Sequence, residues 1–552
     1  MALVMKDPST PSPSPDALAT EAKEPQARAD VPPQTPLAAA RKVKPPSLMS
    51  RWFNVHSSIG MLVLIPMFVM VVTGTISFFR YELAAWAAPA LRLPAPEPLT
   101  AIDGLVSETI RDLPAGTPRV QVTFPDSWRP LVELSWREAP GSELSYLYLV
   151  PESGERIDAN LVSSQFAEHL YRWHYLHPLP LGLQLSGLIA LIWFALTISG
   201  AYLHRRKLWS QFREWPQQVG RPLRVSLHTL AATLTLPLHL IYSVTGVFLG
   251  LGLLYLPLLL FITFEGDQQQ LMQGTFGLPP PALEAGTSAE PPLLDPFITR
   301  TLEQMPPGTQ ITSVLMEKPF DAAARLHVHV VNESGRSGEA LYDVHVSPEP
   351  IFVMNPAQLE PGVNIILTAF MLHFGNLWGM GGKVIYALGG LLLCVLVAAG
   401  ARMWVLRHQR TMPKRAALLE RLFDGFGLGL LPAIALYAWA NRLLPWDIPG
   451  RGEVEIVIFH LAWGLVGLLI LGLGSGPHRR RALMFGTVIL AAFIPLFDGL
   501  FYDAWPWQAN SWHVPSVGLT NLLLLVLAGG MTARLCYPFI ATKGKPQTVG
   551  PI

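Results

Sequence analysis

Six histidines in apolar surroundings set the chemical question. His56 and His228 each open an apolar run and precede a Thr-Gly pair, Thr73-Gly74 and Thr245-Gly246, by the same interval. His174 and His373 each precede a Gly-rich apolar run that closes on Gly200 or Gly400 and a basic exit. Imidazoles in a membrane span are costly enough to be functional candidates by default. If the two repeats are related by an approximate two-fold axis, His56 with His228 and His174 with His373 each point into one cavity from opposite sides. Two imidazoles on facing helices are the arrangement that holds a b-type haem axially in a bundle. The expectation is therefore two b haems, one near each membrane face, forming an electron path across the bilayer. His177 competes with His174, because a gapless alignment on Gly200 and Gly400 leaves His174 one residue out of register with His373. His239, mid-helix and without a partner in the first repeat, could bond a haem propionate, replace a ligand or satisfy a polar core contact. For any one histidine beside Trp52 or Trp173 the plain reading is an interfacial residue. The matched placement of four favours ligation.

The elements that must position these side chains follow from composition. Half of the 552 residues are hydrophobic, 14% are charged and the mean hydropathy is +0.34, which describes a polytopic membrane protein and excludes a soluble enzyme. With 40 Lys+Arg against 39 Asp+Glu no nucleic-acid partner is expected. Cys394 and Cys536 sit in apolar runs without metal spacing, as packing residues do. Residues 1–48 read as a disordered cytoplasmic tail, rich in Pro and ending in Arg41, Lys42 and Lys44. Spans are expected at 49–80, 171–207, 224–263 and 363–408, with four more helices across 420–540. This makes about eight transmembrane helices with both termini inside by the placement of the basic clusters. As a straight helix, the interval from His56 to Thr73 covers about 26 Å, most of a bilayer core of roughly 30 Å. Carboxylates are expected only near helix ends, at Asp424 and Asp498.

Two connections, 81–170 and 264–362, are too long to be turns. Each reads as a helix-period segment, a Pro-x-Gly-Thr or Pro-Pro-Gly-Thr turn and alternating strands, so two small α/β domains are inserted in an internal repeat. In the second, His327 and His329 alternate on one strand and His345 follows on another. Three imidazoles on one sheet face could bind a metal ion, against the plainer reading of exposed strand histidines.

The tandem His-to-Thr-Gly helix, the α/β insertion and the Gly-rich helix with its basic exit resemble the PepSY-associated transmembrane proteins over about residues 50–410. That family includes iron-regulated inner-membrane proteins and di-haem ferric-siderophore reductases. The resemblance implies PepSY-like periplasmic domains and a multi-pass protein of the bacterial inner membrane. It also implies an oxidoreductase that passes electrons through haem to a ferric siderophore or other ferric chelate, with His56, His174, His228 and His373 as the ligands. The four extra helices depart from the pattern. They leave open the electron donor, a quinol or a cytoplasmic reductase, and homo-oligomerisation. No GxGxxG or Walker sequence offers a nucleotide site. The competing expectations are a haem-free, membrane-anchored PepSY binding or regulatory protein and a siderophore permease.

Overall fold

The computed structural model describes residues 47–94, 96–162, 164–206, 223–276, 285–359, 361–474, 476–508 and 515–543. The expected tail, but for its last two residues, lies outside them, as do the basic residues Lys207, Arg213, Arg221 and Lys545. All contacts below fall within Met49–Ile552.

The first apolar run is not a straight rod. It forms α1 (Leu48–Leu62) and α2 (Leu64–Ser77), bent by 68°. After α3 (Arg80–Ala87), α4 (Asp103–Arg111) and the first strands come α5 (Phe166–His174) and α6 (Gly182–His204). The second run repeats the bend, 67°, between α7 (Leu223–Leu234) and α8 (Leu236–Gly250). Pro66 and Pro237 lie just past these breaks, and each removes an amide donor and crowds the carbonyl four residues back, which is how proline kinks a helix. The 26 Å expectation therefore fails: each histidine stands on its own segment, turned away from the Thr-Gly segment. Next come α9 (Gly252–Phe264), α10 (Gln268–Phe276), α11 (Asp295–Gln304), α12 (Pro361–Phe374) and α13 (Gly379–His408). His174 and His373 thus end short helices that precede the spans α6 and α13, and do not lie on the spans themselves.

The chain closes with α14 (Pro413–Leu422), a π-helical turn at Phe423–Leu428, α15 (Leu430–Leu443), α16 (Arg451–Leu473), α17 (Pro477–Tyr502) and α18 (Pro515–Lys543). Among the described residues five helices are long and apolar enough to cross a membrane, or seven when each bent pair counts as one span, against an expectation of about eight. The eighth falls on α18, where the side chains of Arg534, Cys536 and Lys543 lie outside the described set.

The two insertions build one sheet. Strands β1 (Arg119–Thr123), β2 (Val132–Trp136), β3 (Ser145–Leu149) and β4 (Arg156–Ile157) come from the first. The second gives β5 (Gln310–Glu317), β6 (Arg325–Val331), β7 (Ser337–Asp343) and β8 (Phe352–Met354). Their order is β4-β3-β2-β1-β5-β6-β7-β8, antiparallel throughout, with β1 joined to β5 at Val122↔Val314. One face buries Val120, Val122, Leu134, Val314 and Val328 completely, each contributing about 1.5–3 kcal/mol. The helices α4 and α11 exchange caps: Asp103 accepts from the amides of Leu294 (2.8 Å) and Asp295 (2.9 Å), and Asp295 from those of Ile102 (2.6 Å) and Asp103 (3.1 Å). Each aspartate satisfies the partner helix's orphan N-terminal donors, so the insertions are halves of one two-fold unit.

A candidate cofactor cleft between paired histidines

His174 ends α5 and His373 lies near the end of α12, and their Nε2 atoms face one another at 3.5 Å. What holds the far side of each ring decides what those atoms are. His174 Nδ1 is 2.8 Å from the carbonyl oxygen of Met70, which can only accept. His373 Nδ1 is 2.7 Å from the Thr245 hydroxyl, which donates its own proton to the carbonyl of Ile241 (2.5 Å) and so accepts from the ring. Both imidazoles therefore carry their proton on Nδ1, an assignment from the hydrogen-bond pattern. Two Nε2 lone pairs then point at each other across a gap with no proton between them. That is the posture of two metal ligands, whose outward N–H groups are fixed by carbonyl or hydroxyl partners. An ion about 2 Å from each nitrogen needs a gap of about 4 Å, slightly more than is present.

Glycines make room for the rings, crosswise within each repeat. A Cβ on Gly74 would stand 2.5 Å from His174 Nδ1, whereas one on Gly246 would first meet Ala190 Cβ at 3.0 Å and lie 4.0 Å from His373 Cε1, in ordinary contact. On the even spans, a Cβ on Gly200 would stand 3.4 Å from His56 Cε1 and one on Gly400 3.2 Å from His228 Cε1. The odd helix's glycine thus receives the even segment's histidine, and the reverse. Around the outer pair opens a cleft of about 270 Å³, walled by Phe78, Tyr171, Trp193, Tyr242 and Phe374. It is apolar apart from a few placed groups, as small-molecule and cofactor sites are.

The inner pair follows the same rule for Nδ1. His56 Nδ1 is 2.8 Å from the Ser199 hydroxyl, which donates to the carbonyl of Leu196, and His228 Nδ1 is 2.9 Å from the carbonyl of Leu396. Both Nε2 atoms are left free to ligate. His228 is near enough to act electrostatically on His56, and His204 acts on both.

Of the alternatives, His177 is exposed, packs on Tyr175 and does not line the cleft. His239 Nδ1 accepts from Trp193 Nε1 at 2.7 Å, so its proton is on Nε2. That N–H is buried without a partner, as is the hydroxyl of the cleft residue Tyr242. A buried donor left unpaired costs about 1–3 kcal/mol, so the Tyr242 hydroxyl in the cleft wall marks a place for an acceptor the chain does not supply, while His239 meets the cleft only through Trp193. Facing lone pairs, glycine clearances, an apolar cleft and an orphaned hydroxyl together fit a b haem. Sequence analysis did not single out the hydroxyl of Thr245, Trp193 or Ser199. Thr245 had a signal in its pairing with Gly246; the other two had none.

The outer-sheet histidines do something else. His327 bonds Glu339 through Nδ1 at 2.6 Å and faces Glu317 at 3.6 Å, while Glu317 also pairs with Arg119 across the β1–β5 junction. Burial opposes its charge, but the two carboxylates prevail and raise its pKa to about 9. The facing His327 imidazolium is the main reason Glu317 is held down to about 2. His329 stacks beside His327, and His345 is exposed. Among the described residues no group of three His, Cys, Asp or Glu side chains is arranged for a metal, so the three-imidazole site does not form.

Comparison with known proteins agrees with this layout. The chain is 27% identical over 380 residues to the uncharacterised protein PA4219 of Pseudomonas aeruginosa, an overlap of 65% of this chain and 92% of that one. The family model for the PepSY-associated TM region matches residues 53–407, which hold both bent helix pairs, the sheet and all four paired histidines. The chain belongs to the PepSY-associated TM family.

Proposed function

We propose that this membrane protein is a di-haem oxidoreductase of the bacterial inner membrane, which passes electrons to a ferric chelate, such as a ferric siderophore, on the periplasmic side. The observation that carries the reading is the His174–His373 pair, two deprotonated Nε2 atoms facing one another in an apolar cleft. These residues would hold one haem, and His56 with His228 the second. A bis-imidazole b haem supplies a one-electron carrier with no open coordination position. The chain's own part is to fix the ring planes through Met70, Thr245, Ser199 and Leu396, to exclude water with aromatic walls, and to offer Tyr242 as a donor to an oxygen atom of the occupant.

The substrate needs no dedicated acid or base. One electron converts its ferric iron to ferrous, and hard oxygen ligands hold the softer, lower-charged ion less well. With the sheet outside and both termini in the cytoplasm, electrons would enter at the His56–His228 end from a quinol or a separate reductase. Anaerobic mixing of the dithionite-reduced, desalted protein with a ferric hydroxamate tests this reading. The expected result is reoxidation of the haem bands with one ferrous ion trapped per electron. Reduced bands that persist beside the chelate would leave an electron carrier with another acceptor, and protein without haem would leave the binding-protein or permease readings.

A further inference from the structure

The helix carrying His174 is gripped at both ends by one helix of the C-terminal region. At its start, the buried Glu455 of α16 accepts from the Gln165 amide (3.2 Å) and the Ser164 hydroxyl (3.4 Å). Glu455 is itself fixed by Arg451 and by the Asn441 amide at 2.8 Å. It thereby answers orphan donors at the α5 N-terminus, where a carboxylate also meets the positive end of the helix dipole. At the other end, the Trp173 indole N–H is shared between His169 Nε2 (3.1 Å) on its own helix and His460 Nε2 (3.2 Å) on α16. Trp463 packs edge-on against Trp173 at 4.9 Å, and Phe459 edge-on against His169 at 5.6 Å. Glu455, Phe459, His460 and Trp463 form one stripe along α16, while Val457, Leu461 and Leu465 on its far side are exposed.

Trp173 is the residue before His174, so whatever fixes the indole fixes the rotation of the turn that aims the imidazole. The second repeat has no such clamp among the described residues. Leu372 precedes His373, Val363 is the one fully buried residue of α12, and Ile365 is 68% exposed.

We propose that the C-terminal helices are the positioning element for His174: α16 clamps α5 through Glu455 and through the His169–Trp173–His460 node, and so sets how His174 approaches His373. The four helices beyond residue 420 thereby act on one ligand of the pair and leave the other to its own repeat. This rests on the reading of His174 as a haem ligand, and the test separates the two.

The test compares full-length detergent-purified protein with the variant His169→Leu/His460→Leu, with His460→Gln, which keeps an acceptor for the indole, and with Val457→Ala on the outer side of α16. Two quantities are read: amide hydrogen exchange across 166–174 and 361–374, and the reduced spectrum and midpoint potentials of any bound haem. The double variant is expected to exchange about tenfold faster in 166–174 only, the effect of losing roughly one hydrogen bond. One of two midpoint potentials should shift, while His460→Gln and Val457→Ala behave as the parent protein. Unchanged exchange in 166–174, or an equal rise in 361–374, overturns the clamp whether or not haem is present. Faster exchange with unaltered potentials overturns the positioning role. A haem-free parent protein that shows the selective rise sinks the proposed function and leaves the clamp standing.

Discussion

The two repeats use one plan and hold their histidines differently. In both, a bent helix pair carries a histidine before the bend and a Thr-Gly pair after it, and a short helix delivers the second histidine. In the first repeat the outer histidine is tied to a backbone carbonyl, that of Met70, and its helix is packed under α16. In the second it is tied to a side chain, Thr245, and its own helix is mostly half-buried, with Val363 its one buried residue. The lesson is that duplication keeps where the histidines stand, while their outward hydrogen-bond partners are free to diverge. Those partners tune ligand basicity, so two ligands of one site need not be equivalent.

Several substitutions would break or sharpen that comparison. The largest effect is expected from His174→Ala and His373→Ala, each of which should remove one of two haems per chain, while His177→Ala should remove none. Haem quantified against protein decides this. Next is Gly74→Ala, whose new methyl group would overlap the His174 ring. Overpacking of this kind costs about 1–3 kcal/mol, and the outer haem should be lost or turn high-spin, with Gly246→Ala milder because its clearance from His373 is 4.0 Å. Thr245→Val should cost about 1 kcal/mol by leaving the His373 Nδ1–H without its acceptor, read as a shift in one midpoint potential. Thr73→Val at the matching position should shift neither potential, since Thr73 bonds its own helix at the Val69 carbonyl.

The smallest effect lies in the sheet and depends on pH. The folded-state pKa of His327 is raised from about 6.5 to about 9, so its contribution is complete below about 6.5 and is lost as pH rises through about 9. Glu317 is depressed to about 2, so its share persists above about 4.3 and vanishes as pH falls toward 2. Thermal unfolding of the sheet followed between pH 6 and 10 should show a Tm that falls between about pH 6.5 and 9, a fall that His327→Gln removes. A flat profile in the parent protein would show that the His327 cluster is not a stabilising ion pair.

Much of this was legible because it is local or periodic. Hydropathy gave the membrane class, and the repeated interval from histidine to Thr-Gly picked out residues that the fold gathers into pairs. The bends were written at Pro66 and Pro237, but length arithmetic treats an apolar run as a rod. The short helices before α6 and α13 were hidden inside apolar windows, although Pro178, Pro180 and the Gly379–Gly382 cluster punctuate them. Fusion of the two insertions into one sheet was not legible, because β1 and β5 lie far apart in sequence and pairing is decided by tertiary contact. The carboxylates do stand within about a turn of helix ends, as expected, but their burial and their partners were not legible. Glu455 pairs with Arg451 one turn away and Asp498 with Arg442 at 3.2 Å, all four buried in the C-terminal helices. Charges enter an apolar interior only when paired and hydrogen-bonded, and a hydropathy reading does not see the partner.

The most direct test of the central claim is the optical and low-temperature electron paramagnetic resonance spectrum of the purified full-length protein, with haem counted per chain. The account predicts two low-spin b haems with bis-imidazole ligation, one of which disappears in His373→Ala. No haem in protein from haem-replete cells, or a haem signal unaltered by that substitution, would contradict it.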